Sequence, residues 1–181
     1  MKLINRKYLA EFGPWPKNYN YDEIEQYEDV TISIWIKPLI GHYLLEELKT
    51  QIANNQLSDE NATLLVDGGL WRYLCYAMAY ESLPMAAYKI TETGLVKSDD
   101  DHSKSVDTKE YTIVEQHLRR QVEVLKEQVQ KYLCSHCQSF PLFDTSICSG
   151  CGCPCNNDKA PVKPNPLWQI YSTPKKDVDL R

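Results

Sequence analysis

Six of the seven cysteines in this 181-residue chain lie close together, between residues 134 and 155. Two of them form the motif Cys134-Ser-His-Cys137, and ten residues later two more form Cys148-Ser-Gly-Cys151. Two CxxC motifs bring four thiolates to one tetrahedral Zn²⁺, with Zn–S bonds of about 2.3 Å. The spacing therefore predicts a zinc site with Cys134, Cys137, Cys148 and Cys151 as ligands.

The remaining cysteines of the cluster leave alternatives open. Cys153 and Cys155 are surplus, and either could replace Cys148 or Cys151 as a ligand. An iron–sulfur cluster is the rival interpretation, although the CxxCxCxC spacing does not match the common ferredoxin patterns. Four thiolates leave no open position for water, so the site is predicted to be structural rather than catalytic.

Other catalytic motifs are missing from the sequence. It has no phosphate-binding loop, no GxSxG nucleophile motif and no HExxH zinc motif. His42, His102 and His117 stand apart from any cysteine or serine that could form a catalytic pair. We therefore expect no enzymatic activity and no cofactor besides zinc.

Composition and charge are those of an ordinary globular protein, with 43% apolar and 25% charged residues. The net charge of −5 argues against a protein that binds phosphates over its whole surface. No run approaches the roughly 20 apolar residues that a membrane helix needs, and the N-terminus lacks a signal peptide pattern. We expect the protein to stay in a reducing compartment, where crowded cysteines indicate metal binding.

The first half of the sequence predicts three helices after an irregular N-terminal arm, residues 1–21. Asp22 and Glu25 fit a capping box that starts a helix over 23–36, and a second helix follows over 39–53. Pro38 should break or kink the chain between them. Dense apolar residues predict a central core helix over 59–83, which Gly68 and Gly69 could interrupt and Pro84 should end.

The second half combines a short hairpin, a long helix and a proline-rich tail. Residues 86–97 predict a β-hairpin. Apolar residues at steps of three and four predict an amphipathic helix from about 107 to 133, packed on the 59–83 helix or on a neighbouring subunit. The prolines of 156–181 favour an extended arm, whose apolar cluster is expected to dock on a neighbouring protein: Leu167, Trp168, Ile170 and Tyr171.

These elements predict a mainly α fold: a helical bundle with a short β-hairpin, a small zinc-ribbon-like lobe and an extended C-terminal arm. The predicted units are an N-terminal arm (1–21), a helical domain (22–133), a zinc-binding lobe (134–155) and the tail (156–181). A ribbon this short cannot fold by burial alone, so the metal is expected to stabilise it, with Phe140–Phe143 as apolar cover.

An ordered set of motifs carries a family resemblance over about residues 22–140. It comprises IKPLIG at 36–41, YAMAYESLP at the end of the core helix, KITETGLVKSDD in the hairpin, and the long helix that ends in YLC. This set resembles the head–tail connector proteins, also called adaptor or neck-ring proteins, of tailed phages that infect Bacteroidetes, of the crAss-like type. The zinc lobe and the long tail depart from shorter connectors.

The resemblance implies a virion structural protein without an active site. Such a protein assembles with itself as a ring, usually of twelve subunits, under the portal protein and beside other neck and tail ring proteins. Genomic DNA passes through its lumen without sequence-specific contact. The expected location is the neck of the virion, assembled in the cytoplasm of the host bacterium.

The competing hypothesis is a nucleic-acid-binding or regulatory protein that uses the zinc ribbon to read its target. Such a ribbon should interleave lysine and arginine with aromatic residues. Residues 134–155 contain neither lysine nor arginine. The sequence therefore favours a ribbon that is structural or that contacts protein.

Overall fold

The computed structural model describes residues 2–16, 19–91, 94–97 and 108–148. This part of the chain is mainly helical, which confirms the predicted fold class at that level. Eight α-helices follow one another: α1 (Arg6–Phe12), α2 (Asp22–Glu25), α3 (Glu28–Thr31), α4 (Lys37–Ile40), α5 (His42–Ala53), α6 (Asp59–Val66), α7 (Leu70–Ala87) and α8 (Thr108–Ser135).

Shorter elements complete the described chain. A π-helical turn, Ile32–Ile36, joins α3 to α4, and the 3₁₀ helices Cys137–Ser139 and Thr145–Cys148 follow α8. Strands β1 (Tyr88–Thr91) and β2 (Gly94–Lys97) pair antiparallel, with Tyr88 opposite Lys97.

Helix α7 is the centre of the hydrophobic core, as the density of its apolar residues predicted. Its side chains from Tyr73 to Cys75 are fully buried, as are Ala77 and Met78. Helices α1, α3, α6 and α8 all pack against it. Gly69, with φ of +81°, separates α6 from α7, so the interruption expected at the glycine pair is confirmed.

Pro84 does not end this helix, contrary to the prediction. Helix α7 continues through Pro84 to Ala87. The proline lies in the last turn, where it removes one backbone hydrogen bond while the preceding turns stay anchored in the core. Buried packing therefore outweighs the local cost of the ring.

The predicted break at Pro38 is also wrong. Lys37 keeps helical backbone angles, and Pro38 occupies the first turn of α4, where a missing N–H costs little. The chain instead changes direction at Gly41, whose φ of +84° and ψ of +164° suit glycine alone. The helix expected over 23–36 is observed as α2, α3 and the π-turn. The helix expected over 39–53 is observed as the end of α4 followed by α5.

The N-terminal segment is not an irregular arm, because it contains α1 and contributes Leu3, Ile4 and Leu9 to the core. Asn5 caps α1 by accepting a hydrogen bond from the Tyr8 amide at 3.1 Å. Trp71 of α7 donates its ring N–H to the Leu3 carbonyl at 3.2 Å. Tyr8, Leu9 and Phe12 have helical spacing, but the segment is too short, at seven residues, for that pattern to stand out beside Pro14 and Pro16.

The capping box expected at Asp22 and Glu25 does not form. Tyr21 is the capping residue of α2 and makes no side-chain cap. Glu25 instead accepts hydrogen bonds from Lys2 and from Arg6, the latter at 2.7 Å, and Arg6 also pairs with Asp22. The acidic residues therefore tie the N-terminal segment to α2.

The long amphipathic helix agrees with its prediction as α8. Val122, Val129 and Leu133 are fully buried against α7, which settles where the apolar stripe packs over this half. The first half differs, since Ile113 and Val114 are 66% and 45% exposed. Asp107, the expected cap, lies outside the described residues.

Across the described ranges, no helix is both long enough and apolar enough to span a membrane.

Candidate metal centre

Cys134 occupies the last turn of α8. The helix continues this far because its apolar stripe ends on the buried Leu133, and Cys134 beside it is only 1% exposed. The His136 amide closes the turn by donating to the carbonyls of Tyr132, at 3.1 Å, and Leu133, at 3.2 Å. A rigid helix end therefore holds the first predicted ligand.

Cys137 opens the 3₁₀ helix that follows and is 9% exposed. The Phe140 amide donates to the Cys137 carbonyl at 3.2 Å, so the chain folds back at once. Phe140 and Phe143 are both buried in the hydrophobic cluster that contains Cys134. Apolar rings thus exclude water from the side of the CxxC turn that faces the core.

Cys148 ends the 3₁₀ helix Thr145–Cys148, which packs against α8. Asp144 starts this turn by accepting a hydrogen bond from the Ser146 amide at 3.0 Å. The 3₁₀ helix that carries Cys148, the third predicted ligand, therefore packs against α8, the helix that carries Cys134, the first. Cys151, the fourth predicted ligand, and the surplus Cys153 and Cys155 lie outside the described residues.

The sulfur atoms of Cys134 and Cys137 are not those of free thiols, since each lies within bonding distance of another cysteine sulfur. Cysteine sulfurs lie close together both in a disulfide bond and when two cysteines bind the same metal ion. Within residues 2–148 as described, no group of three histidine, cysteine or acidic side chains is placed to hold a metal ion. The described residues thus show no metal site, and zinc binding by Cys134, Cys137, Cys148 and Cys151 stays a prediction.

None of the histidines that the structure describes takes part in the cysteine turn. His136 is exposed, its Nδ1 lies 2.9 Å from the Tyr132 carbonyl oxygen, and its ring stacks on Tyr132. His42 and His117 are exposed on α5 and α8, and His102 is outside the described residues. Cys75 is fully buried in α7, where burial raises the pKa of its thiol, so it behaves as a small apolar side chain.

Sequence reasoning missed a buried carboxylate, Glu28, which is 2% exposed. It accepts hydrogen bonds from the backbone amides of Leu3 and Ile4, the second at 3.1 Å. Burial raises its pKa even though these amides favour the charged form. No local pattern marks Glu28, because both donors lie more than twenty residues earlier in the chain.

A groove borders the candidate metal centre. It has a volume of about 210 Å³ and lies between the start of α6 and the end of α8. Tyr132, His136 and Phe140 form its aromatic wall, while Asp59 and Glu60 lie at its rim. Its aromatic wall belongs to the same turn that carries Cys134 and Cys137.

Comparison with known proteins assigns a family. Residues 36–152 match the model of a family of unknown function, DUF6712. This is well over half of the chain, so the protein belongs to that family. The match begins at the end of the π-turn and ends just after Cys151, and therefore includes all four predicted ligands but neither Cys153 nor Cys155. No curated protein and no solved structure matches the chain.

Proposed function

We propose that this protein is a structural connector of a phage virion, which assembles with itself into a ring at the neck between head and tail. Its neighbours are the portal protein and adjacent neck and tail rings, and genomic DNA passes through the lumen. A net charge of −5 suits this role, because a channel that DNA traverses must not bind phosphates tightly. The protein needs no active site for this task.

The observation that carries the proposal is the half-covered stripe of α8. The stripe is buried from Val122 onwards, yet Val114 on the same face is 45% exposed in the first half of the helix, and Ile113 beside it, off the stripe, is 66% exposed. Apolar side chains that a chain leaves exposed next to each other are places where another subunit can dock. The first half of α8, here called the α8 patch, therefore supports contact with another subunit.

A second apolar surface lies on a different element. Val30 and Ile34, four residues apart on α3 and the π-turn, are 49% and 53% exposed. We call this pair the α3 patch. A closed ring needs a head-to-tail contact between two different surfaces, whereas a two-fold dimer uses one surface twice. Two distinct patches support the ring.

The zinc lobe has a structural role in this proposal. One Zn²⁺ bound by Cys134, Cys137, Cys148 and Cys151 holds the ribbon against the end of α8, beside Phe140 and Phe143. The β1–β2 hairpin and the extended arm over 156–181 complete the proposed architecture.

The test uses two charged substitutions, one in each patch. Ile113→Glu disables the α8 patch, and Ile34→Glu disables the α3 patch; each variant alone should be monomeric by light scattering while the wild type assembles. A mixture of the two variants retains one good contact, between the intact α3 patch of one and the intact α8 patch of the other. That mixture should give 1:1 dimers and nothing larger.

The matched control is Gln116→Glu, which places the same charge at an exposed polar position of α8 and should assemble normally. A wild-type chain that remains monomeric at high concentration and forms no rings by electron microscopy refutes the proposal. Loss of assembly with Ile113→Glu alone, with Ile34→Glu unaffected, would indicate a two-fold dimer instead of a ring.

A further inference from the structure

The groove beside the cysteine turn has the lining of a peptide site. Tyr132 stacks on His136 with ring centroids 4.5 Å apart, and Phe140 lies 6.3 Å from Tyr132. Phe140 is buried, while Tyr132 is partly exposed. Aromatic walls of this kind bind apolar and aromatic side chains through large contact areas.

The charge around this groove is negative. Asp59 and Glu60 are exposed at its rim, and its described lining includes neither lysine nor arginine. The groove therefore favours a segment that combines aromatic or apolar side chains with positive charge.

The C-terminal tail of this chain has that composition. Residues 159–176 contain four lysines and no acidic residue, and they include the apolar cluster Leu167, Trp168, Ile170 and Tyr171. Prolines at 161, 164 and 166 restrict the free chain, which lowers the entropy lost when it docks. Acidic residues return only at Asp177 and Asp179.

The chain is long enough to bring this segment back to the groove. The last described residue, Cys148, is on a 3₁₀ helix packed against α8, and Trp168 follows twenty residues later. Twenty residues span up to about 65 Å when extended. A tether of this length keeps the segment at an effective concentration of roughly millimolar, so a modest contact suffices for docking on its own chain.

We infer that the groove lined by Tyr132, His136 and Phe140 is the docking site for residues 163–171 of the same chain. Trp168 packs against the aromatic wall, and the flanking lysines lie near Asp59 and Glu60. This goes beyond the proposed assembly role, and it revises the sequence-based expectation that the arm docks on a neighbouring protein. The docked arm covers one side of the cysteine turn.

Photocrosslinking in the full-length chain tests the inference. We place p-benzoylphenylalanine at position 168 and map the crosslinked peptides by mass spectrometry. The expected product has the mass of a single chain, with crosslinks to the segments 59–63 or 132–140. The same photoreactive residue at position 180, beyond the acidic Asp177 and Asp179, is the matched control and should not label the groove.

Charge removal gives a second readout. Asp59→Asn combined with Glu60→Gln should lower the crosslinking yield about fivefold, because two ion pairs with lysines are lost. Neutralising two exposed carboxylates elsewhere, Glu11→Gln with Glu127→Gln, should leave the yield unchanged. Crosslinks that join two chains, that map to another part of the surface, or that fail to form at all would each overturn the inference. Ring assembly is scored separately by light scattering, so either proposal can fail without the other.

Discussion

At the residue scale, the most informative side chain is Glu28. This buried carboxylate binds backbone amide groups and not a positively charged side chain. Its carboxylate accepts from the amides of Leu3 and Ile4 and so fixes the N-terminal segment over the core. Burial raises its pKa above the ordinary value for glutamate. Glu25 on the preceding turn behaves oppositely, since its hydrogen bond from Lys2 is the largest cause that lowers its pKa.

The two acids predict opposite effects of pH on stability. A raised pKa means that the folded chain binds the proton of Glu28 more tightly than the unfolded chain. The wild type should therefore gain stability relative to Glu28→Gln as pH falls from 7 towards 4.5. It should lose stability relative to Glu25→Gln only at lower pH, as the pH falls below about 4.5, because the lowered pKa of Glu25 keeps its carboxylate charged in the folded chain.

Urea unfolding of the wild type and both variants between about pH 3 and 7.5 measures these differences. Glu25 and Glu28 lie on neighbouring turns, and each variant removes one carboxyl group. Each variant therefore serves as a control for the other. A difference between wild type and Glu28→Gln that does not change with pH would contradict the assignment of Glu28 as a buried acid with a raised pKa.

At the element scale, the turn between α4 and α5 depends on Gly41. Its φ of +84° and ψ of +164° lie in a region that only glycine adopts readily. A Cβ at this position would have room, because its nearest neighbour, the Asp144 Cβ, is 3.5 Å away. The cost of a substitution therefore comes from the backbone and not from a steric clash.

Gly41→Ala should lower the free energy of unfolding by about 1–3 kcal/mol. Asn54→Ala is the matched control, since Asn54 is exposed at the end of α5 with ordinary helical angles, and it should change stability by less than about 0.5 kcal/mol. Chemical denaturation of both variants provides the measurement. Equal stability of Gly41→Ala and wild type would show that the chain turns elsewhere.

At the scale of the whole molecule, the cysteine turn and the helical core are joined, not separate. Cys134, Phe140 and Phe143 belong to the same hydrophobic cluster as α7. Phe143 is followed by Asp144, which approaches the turn at Gly41. The residues at the start of the predicted lobe therefore pack in the same core as the predicted helical domain.

The proposed zinc site predicts one Zn²⁺ per chain by elemental analysis and its loss in Cys134→Ser. Because the turn shares the core, the variant should melt at a lower temperature while circular dichroism retains most of the helical signal. Cys75→Ala, a cysteine buried away from the cluster, should keep its zinc. Protein that contains iron, or that contains no metal and a Cys134–Cys137 disulfide, would contradict this prediction.

The predictions that succeeded rest on periodicity within one segment. Helix α8 and the core helix α7 follow from apolar spacing, because a helix needs an apolar stripe wherever it packs. The interruption at Gly69 follows from the same local reasoning. The metal site that the crowded cysteines indicate also comes from local spacing, and it stays a prediction.

What only the tertiary structure decided involves partners far apart in sequence. Helices α4 and α7 contain Pro38 and Pro84, because packing of these helices outweighs the loss of a backbone hydrogen bond at each proline. The chain changes direction at Gly41 instead of at Pro38, where the sequence predicted a break. Leu3, Ile4 and Glu28 come into contact only after folding, so no local sequence pattern predicted their hydrogen bonds. The sequence by itself determined the longer helices, α5, α7 and α8, and the position of the crowded cysteines. The folded chain decided where those helices turn, which half of α8 is covered, and that the N-terminus belongs to the core, because burial depends on contacts across the whole chain.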